Sequence, residues 1–265
     1  MSAAARPDPE TTPACRTIEP HDVDSLRELH PADIAEHLEN SGLSPLDIIE
    51  TLVRVGNHKA LETFEQLSID TQEACLEAGN TRTMLKFIEN MEPDDRVDLL
   101  KAVDNEIREA IMPLIAQAER NEIRRLWDYE EGTAGAVMTT EYCSLAADIS
   151  VREALEGLRL QAPNKETIYY VYITDSGRHL LGMVSLRDLI MSKPQARLAE
   201  VMEENVISVP HDLDVASAAA QIQKYDFLAM PVVDHENRLI GMITVDDVID
   251  IIEAENTEDF QRISA

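Results

Sequence analysis

The chain has 265 residues, of which 44% are hydrophobic and only 4% aromatic, and 51 acidic against 23 basic residues give a formal charge of −28. Such a charge repels phosphate backbones, which excludes nucleic acid as an expected partner and favours cations. No run of about 18 apolar residues occurs, so the sequence predicts no transmembrane helix and a chain that is soluble by itself.

The N-terminal stretch MSAAARPDPETTPACR is rich in Pro, Thr and Ala and lacks the apolar core of a signal peptide. Residues 1–24 are therefore predicted to be a disordered tail. Cys15, Cys75 and Cys143 are widely separated and form no CxxC pair, which predicts neither a disulfide framework nor a zinc site. We expect an intracellular protein with free thiols.

Residues 25–130 are predicted to form a helical domain. Its phrases LHPADIAEHL, LSPLDIIETL, LSIDTQEACL and MEPDDRVDLL share one pattern, a hydrophobic residue and then a polar opening before helix-periodic Leu and Ile. Pro31, Pro45 and Pro93 suit the first position of a helix, and an Asp follows each by two residues, where a carboxylate favours the positive helix end. Short helices in series predict an α-superhelix.

The helical pattern ends near YEEGTAGAVM, where Gly132 and Gly135 predict a linker. An internal duplication follows. VMTTEYCSLAADISVREALEGL matches VMEENVISVPHDLDVASAAAQI, and YITDSGRHLLGMVSLRDLI matches PVVDHENRLIGMITVDDVI. Each copy predicts a helix, a strand, a turn, a strand and a second helix, which gives α/β modules over residues 137–198 and 199–253. A further helix is predicted to continue through residues 254–265.

The duplicated phrases GMVSLRDL and GMITVDDV resemble a tandem cystathionine-β-synthase (CBS) domain pair. The complete order, with ETIYYVY, YDFLAMPVVD and TVDDVIDIIEAENTEDF, resembles the cytosolic region of the MgtE family of magnesium transporters. The resemblance implies an α plus α/β fold: a superhelical domain, a CBS pair and the start of a connecting helix. It also implies homodimerisation through the CBS modules and a transmembrane pore domain after residue 265. The chain is then the regulatory part of a bacterial inner-membrane protein, on its cytoplasmic side, or a free-standing relative.

Magnesium is the first ligand that the resemblance implies. Mg²⁺ prefers carboxylate oxygens and retained waters, which suits acidic residues contributed by separate surfaces. The implied ligands are Glu62, Asp94, Asp95, Asp98, Asp226, Asp247, Asp250, Glu255 and Glu258. A local interpretation stays open, because Asp94 and Asp95 follow Pro93 as helix-start carboxylates. Likewise, Thr244-x-x-Asp247 fits a capping box.

An adenine nucleotide is the second implied ligand, with ATP as a regulator. The implied residues are Tyr170, Ser185, Arg187, Asp188 and Phe227: the rings contact adenine, Asp188 binds the ribose and Arg187 the phosphates. The second copy has Asp246 in place of the arginine, which disfavours a polyphosphate there. The alternative is that Ser185 and Asp188 only cap a helix, the aromatic residues are core and Arg187 is a surface charge.

These features predict a magnesium sensor, in which cations bridge acidic faces of the helical domain and the CBS pair and favour a compact, pore-closed state. The alternative is a soluble CBS adaptor that senses adenine nucleotide and binds a protein partner. The sequence contains no GxxxxGK, GxSxG or HExxH motif, so enzymatic activity is not expected.

Overall fold

The computed structural model describes residues 23–249, which divide into two compact units, residues 23–87 and residues 88–249. Residues 1–22 of the predicted tail and the predicted helix at 254–265 lie outside the described residues. Val23 and Asp24, by contrast, belong to helix α1 (Val23–Leu26), so the tail prediction is wrong for these two residues. Burial of Val23 and Leu26 explains why this segment is ordered.

The first unit consists of short helices whose starts are encoded locally. After α1 come α2 (Pro31–Asn40), α3 (Pro45–Val55), α4 (Asn57–Glu65), α5 (Ile69–Ala78) and α6 (Thr81–Ile88), which ends at the unit boundary. Pro31 and Pro45 open α2 and α3 as predicted. The Ser44 hydroxyl accepts a hydrogen bond from the Asp47 N–H at 3.3 Å, and the Asp47 carboxylate accepts one from the Ser44 N–H, which closes a capping box.

The core of the first unit is mainly aliphatic, as the low aromatic content requires. Helix α3 packs against α4 and α5, and α2 packs against α4. Leu38, Leu52 and Met84 are buried, and the ring centroids of Phe64 and Phe87 lie 4.8 Å apart. Each helix therefore buries one face against helices nearby in sequence, as expected for a helical repeat.

The second unit begins with the helices α7 (Pro93–Ala102), α8 (Asn105–Ile111) and α9 (Gln117–Trp127), and α7 packs against α9. Arg125 of α9 donates a hydrogen bond to the Ile240 carbonyl at 3.3 Å, and the Thr140 hydroxyl donates one to Glu122. These contacts fix the three helices to the α/β region. Between residues 23 and 249, every helix is too short or too polar to cross a bilayer.

The α/β region is a structural repeat, as the duplication predicts. The first copy contains β1 (Cys143–Leu145), α10 (Val151–Gln161), a 3₁₀ turn, β2 (Tyr170–Thr174), β3 (Leu180–Ser185) and α11 (Leu186–Met191). The second contains α12 (Leu198–Val201), β4 (Val209–Pro210), α13 (Val215–Tyr225), β5 (Ala229–Val233) and β6 (Leu239–Thr244), with helical residues continuing from Val245 to Ile249. The predicted class, a helical region followed by two α/β modules, is confirmed.

Both modules have the same three-stranded sheet. The orders are β1-β2-β3 and β4-β5-β6, each with a parallel first pair and an antiparallel second pair. Tyr170 pairs with Ser185 in the first sheet, and Ala229 pairs with Thr244 at the equivalent place in the second. Strands β1 and β4 were not predicted, because three and two residues are too short to show an alternating pattern.

The two modules exchange their opening segments. The Met138 side chain, which precedes the first sheet, lies against Gly241 of β6, whereas Met202 lies against Gly182 of β3. A Cβ atom would lie 2.8 Å from the Thr139 carbonyl oxygen at Gly241 and 3.0 Å from the Glu203 carbonyl oxygen at Gly182, so both copies of the GMxS/T phrase favour glycine. Thr139 and Met242 exchange two backbone hydrogen bonds of 2.9 and 3.0 Å, which fixes the first opening segment to the second module.

The segment predicted as a linker is held to the second module. The Ala134 N–H donates to the Leu213 carbonyl and the Gly135 N–H to the His211 carbonyl, both at 2.8 Å. Gly132 has φ +74°, and a Cβ atom at Gly135 would collide with the Tyr129 ring at 2.6 Å. The two glycines thus permit a tight turn and a close approach, and the prediction of a linker is corrected to a docked connection.

Candidate functional site

A cluster of acidic side chains lies where α7 meets the two α/β modules, and its first member is Asp94. Pro93 opens α7, which places Asp94 in the first turn, as the sequence predicted. Asp94 is only 6% exposed, and its Oδ1 atom is buried without a hydrogen-bond partner. A helix-start carboxylate normally faces water, so burial of this one requires another explanation.

Asp247 and Glu166 complete the cluster from the two modules. The Thr244 hydroxyl and N–H donate to the Asp247 carboxylate, as in the predicted capping box. Thr139 and Thr244 are close enough to Glu166 to lower the pKa of its carboxyl by hydrogen bonding. Thr139 and Thr244 are buried. The single O–H of Thr244 donates to Asp247, and the Glu166 Oε2 atom is buried without a partner.

The electrostatics of the cluster favour protonation or a bound cation. Burial raises the pKa of Asp94 well above its usual range, and the neighbouring charges of Asp247, Asp95 and Glu166 raise it further. Burial, and after it the charge of Asp247, raises the pKa of Glu166 to about 8. Hydrogen bonding by Thr139 and Thr244 acts in the opposite direction and lowers this pKa. The ionised cluster is therefore destabilised by its own charges.

A buried cation lies on the same helix, two residues after Asp94. Arg96 donates from Nη2 to the Met91 carbonyl at 2.6 Å, whereas its Nε and Nη1 atoms are buried without a hydrogen-bond partner. Burial raises the pKa of Glu141, and the charges of Lys165 and then Arg96 lower it. Among residues 23–249, no three His, Cys, Asp or Glu side chains are arranged to hold a metal ion directly.

The other predicted metal ligands lie elsewhere or beyond the described residues. Glu62 is exposed on α4 in the first unit, 3.3 Å from His58 Nδ1. Asp95 and Asp98 are exposed on α7. Asp226 is an exposed cap of α13 in the left-handed conformation, with φ 53°. The positions outside the described residues are Asp250, Glu255 and Glu258. Of the six predicted ligands within residues 23–249, the structure places Asp95 and Asp247 close enough to Asp94 to raise its pKa.

A second group of residues surrounds the start of β2 in the first module. Because Tyr170 pairs with Ser185, its ring lies beside the start of α11. Phe227 of the second module places its ring centroid 6.3 Å from that of Tyr170, at 75°. The left-handed residue Asp226 ends α13 and turns the chain toward this position. Tyr170 and Phe227, one from each module, thus form an edge-to-face ring pair.

Ser185 and Asp188 form the helix cap that the alternative interpretation requires. The Ser185 Oγ lies 2.6 Å from Asp188 Oδ2 and accepts a hydrogen bond from the Asp188 N–H at 3.0 Å. Arg187 and Asp188 are exposed beside it. A cap leaves one carboxylate oxygen of Asp188 for a ligand, so capping and nucleotide binding are compatible roles.

The second module keeps the helix cap, as Thr244 and Asp247, and replaces the tyrosine and the arginine. Ala229 stands at the position of Tyr170, and Asp246 and Asp247 stand at the positions of Arg187 and Asp188. The second copy therefore lacks the aromatic wall and the cation, and its cap aspartate belongs to the acidic cluster instead. The two copies therefore differ in charge and aromatic content at equivalent positions.

Comparison with known proteins gives matches along nearly the whole described chain. Residues 29–132 match the profile of the MgtE intracellular N domain, and residues 134–193 and 198–254 match the CBS domain. The magnesium transporter MgtE of Thermus thermophilus is 37% identical over 243 residues, which are 91% of this chain and 54% of the transporter. The chain thus spans about half of that relative's length. Neither family description names a catalytic activity.

Two solved structures have the same fold. The crystal structure of the cytosolic domain of the Mg²⁺ channel MgtE in complex with ATP matches with a TM-score of 0.82 at 36% identity, over 86% of this chain and 93% of that one. The crystal structure of the soluble part of a magnesium transporter matches with a TM-score of 0.80 at 35% identity, over 88% and 93%.

Proposed function

The chain belongs to the MgtE family of magnesium transporters, and we propose that it senses Mg²⁺ and thereby regulates the transport of that ion. The observation that carries this proposal is Asp94: a buried carboxylate with an unpartnered oxygen, whose pKa is raised by acidic neighbours. In the resting chain this arrangement costs free energy. A divalent cation converts the same arrangement into a favourable one.

The proposed mechanism follows from repulsion between α7 and the CBS pair. Asp94 belongs to the helical domain, whereas Asp247 belongs to the second CBS module, so their mutual repulsion opposes the docking of α7. A cation held by both carboxylates removes the repulsion and stabilises the docked form in proportion to the logarithm of its concentration. Docking of α7 is then the event that reports the magnesium concentration.

The wider setting of this sensor is also a proposal. We infer a transmembrane pore domain in the parent protein, with this chain on the cytoplasmic side of the bacterial inner membrane and homodimerisation through the CBS modules. The pore is closed when magnesium is ample and the acidic faces are bridged. The protein acts by binding and not by catalysis. The relative named Mg²⁺ channel MgtE supports this assignment.

Unfolding in a magnesium series tests the sensing function. We expect the unfolding temperature to rise and then level off as MgCl₂ increases, with ionic strength held constant by NaCl. One site occupied at 100 times its dissociation constant contributes about 2.7 kcal/mol. An equal rise in NaCl alone would contradict the proposal, because it would reflect general screening of the net charge of −28.

ATP is proposed as the modulator, and Asp188→Ala tests its site. The exposed Asp188 carboxylate is proposed to accept hydrogen bonds from the ribose, so its loss should weaken ATP binding at least about tenfold, as expected for a charged hydrogen bond. Calorimetry in EDTA measures ATP binding apart from magnesium. Asp148→Ala, which removes another exposed carboxylate of the same module, should have no effect. Unchanged affinity in Asp188→Ala would remove the ribose role.

The same measurements separate the sensor from the alternative, a CBS adaptor. The Tyr170–Phe227 ring pair favours nucleotide binding in both cases. An adaptor whose acidity serves only solubility would be stabilised by ATP but show no magnesium effect at constant ionic strength. A magnesium sensor would show the magnesium effect whether or not ATP binds.

A further inference from the structure

We propose that the turns closing the two β-hairpins of the α/β modules form a pH-sensitive clasp between the modules, in which His179 is the group that gains or loses charge. The first turn joins β2 to β3 over residues 175–179, and the second joins β5 to β6 over residues 234–238. The inference goes beyond magnesium sensing, because no metal ion enters it.

The clasp is built from hydrogen bonds that run between the modules in both directions. The Leu180 N–H donates to the Asn237 carbonyl at 3.0 Å, and the Leu239 N–H donates to the Arg178 carbonyl at 2.9 Å. The Asn237 side-chain amide adds a third bond, to the Leu180 carbonyl at 3.2 Å. Leu180 and Leu239 are both buried, so this pairing closes over the apolar contact between the modules.

Each carbonyl that crosses to the other module belongs to a residue in the left-handed conformation. Arg178 has φ 66° and Asn237 has φ 60°. A bulky side chain seldom adopts a positive φ, whereas asparagine does so more readily. Arg178 is therefore held by its surroundings, and the hydrogen bond from Leu239 is one of these constraints.

Each turn opens with an aspartate that binds the fifth residue of the turn twice. Asp175 Oδ1 accepts from the His179 N–H, and Asp234 Oδ1 accepts from the Arg238 N–H, both at 2.9 Å. The other oxygen, Oδ2, lies 2.9 Å from Nδ1 of His179 in the first turn and 2.7 Å from Nε of Arg238 in the second. The two halves of the clasp thus share one geometry and differ in the cation, which is permanent in the second module and depends on protonation in the first.

A proton on His179 balances the charges of the clasp, whose other charged groups are Asp175, Arg178, Asp234, Glu236 and Arg238. Three carboxylates and two guanidinium groups leave one negative charge. Arg238 stands opposite His179 in the backbone pairing, but two carboxylates of its own turn already bind it, at 2.7 and 3.2 Å. His235 of the same turn faces Asp212 at 3.8 Å. The hydrogen bond with His179 lowers the pKa of Asp175, which keeps this carboxylate ionised at neutral pH.

The clasp should therefore be tighter at acidic than at alkaline pH. A protonated His179 ring gives Asp175 a charged hydrogen bond, whereas a neutral ring keeps only a weaker one, from the Nδ1–H tautomer. Imidazole changes its charge between pH 5 and 8, so the added stability is present at acidic pH and lost as pH rises through this range. The two side chains are 44% and 41% exposed, so we expect the modest effect of an exposed ion pair, about two- to fivefold on opening of the clasp.

Hydrogen exchange at the Leu180 and Leu239 amides, measured by NMR in EDTA, reports opening of the clasp. Protection factors, which correct for the pH dependence of exchange itself, should fall about two- to fivefold between pH 5.5 and 8.0. His179→Arg should keep the high protection at pH 8.0, because it gives the first turn the cation of the second. Arg238→His should enlarge the fall, because both halves then titrate. His58→Gln removes a histidine that pairs with a glutamate in the first unit and should behave as the unaltered chain does.

The same amides give the results that would overturn the inference. A fall in protection as large in His179→Arg as in the unaltered chain would assign the pH response to another group. Equal protection at both pH values in the unaltered chain would show that no clasp of this kind operates. His179→Gln separates charge from shape: it should show the low protection at both pH values, and high protection at both would mean that the charge of His179 has no effect. None of these measurements involves magnesium, so their outcome is independent of the proposed function.

Discussion

Replacing Asp94 and Asp247 together by asparagine is expected to abolish the magnesium-dependent rise in unfolding temperature and to raise the unfolding temperature without magnesium. Both effects have one cause, because the two carboxylates repel each other at a buried position and provide charge for the cation. Relief of such repulsion contributes on the order of 1–3 kcal/mol. Calorimetric unfolding with and without MgCl₂ measures both effects.

The control for this double replacement removes two charges from exposed positions that the sequence also predicted as metal ligands. Asp98→Asn with Asp226→Asn should keep most of the magnesium response, because both side chains are exposed and neither joins the buried cluster. If this variant lost the response while Asp94→Asn with Asp247→Asn retained it, the sensor would lie on the exposed surface and the buried cluster would have no role in it.

The second large effect is a pH dependence of stability in the absence of magnesium. Burial and Asp247 raise the pKa of Glu166 to about 8, far above the usual value of a glutamate in the unfolded chain. Between these values the folded state holds a proton that the unfolded state has lost, so the free energy of unfolding falls as pH rises. One titrating group can change the free energy of unfolding by at most about 1.4 kcal/mol per pH unit. Glu166 is only partly buried, so its contribution is smaller.

Chemical denaturation between pH 5.5 and 8.5 in EDTA measures this slope. The slope should be shallower in Glu166→Gln than in Glu156→Gln, and the comparison cancels the seven histidines that both variants share. Magnesium should stabilise the chain more at pH 8.5 than at pH 5.5, because it binds the ionised cluster. Equal slopes in the two variants would show that Glu166 is ionised throughout and that its burial has little electrostatic cost.

Much of the fold could be predicted because local signals were consistent. Pro31, Pro45 and Pro93 open helices as expected, and Ser150 and Asp214 cap α10 and α13 at matching places in the two copies. The duplicated phrases fall on β3 and β6 with the same register. What periodicity could not reveal was exchange between modules, since the contact of Met138 with Gly241 joins residues far apart in sequence.

The proposed cation site was only partly predictable for a related reason. Asp94 and Asp247 stand in recognisable helix starts, so the sequence marked them, although it could not distinguish the buried Asp94 from its exposed neighbour Asp95. Glu166 has no such signal, because it lies in the extra residues of the first copy, in a segment without helical or strand periodicity. Its place becomes clear only from the structure, in which the charge of Asp247 raises the pKa of its buried carboxyl.

Hydrogen exchange of the amides in α7 (Pro93–Ala102) and in residues 244–249, with and without Mg²⁺ at constant ionic strength, tests the central claim most directly. If a divalent cation holds the start of α7 against the CBS pair, exchange in both segments should slow together as MgCl₂ is added, and Asp94→Asn should remove the effect. Exchange rates in α7 that are the same at zero and saturating magnesium would contradict the account.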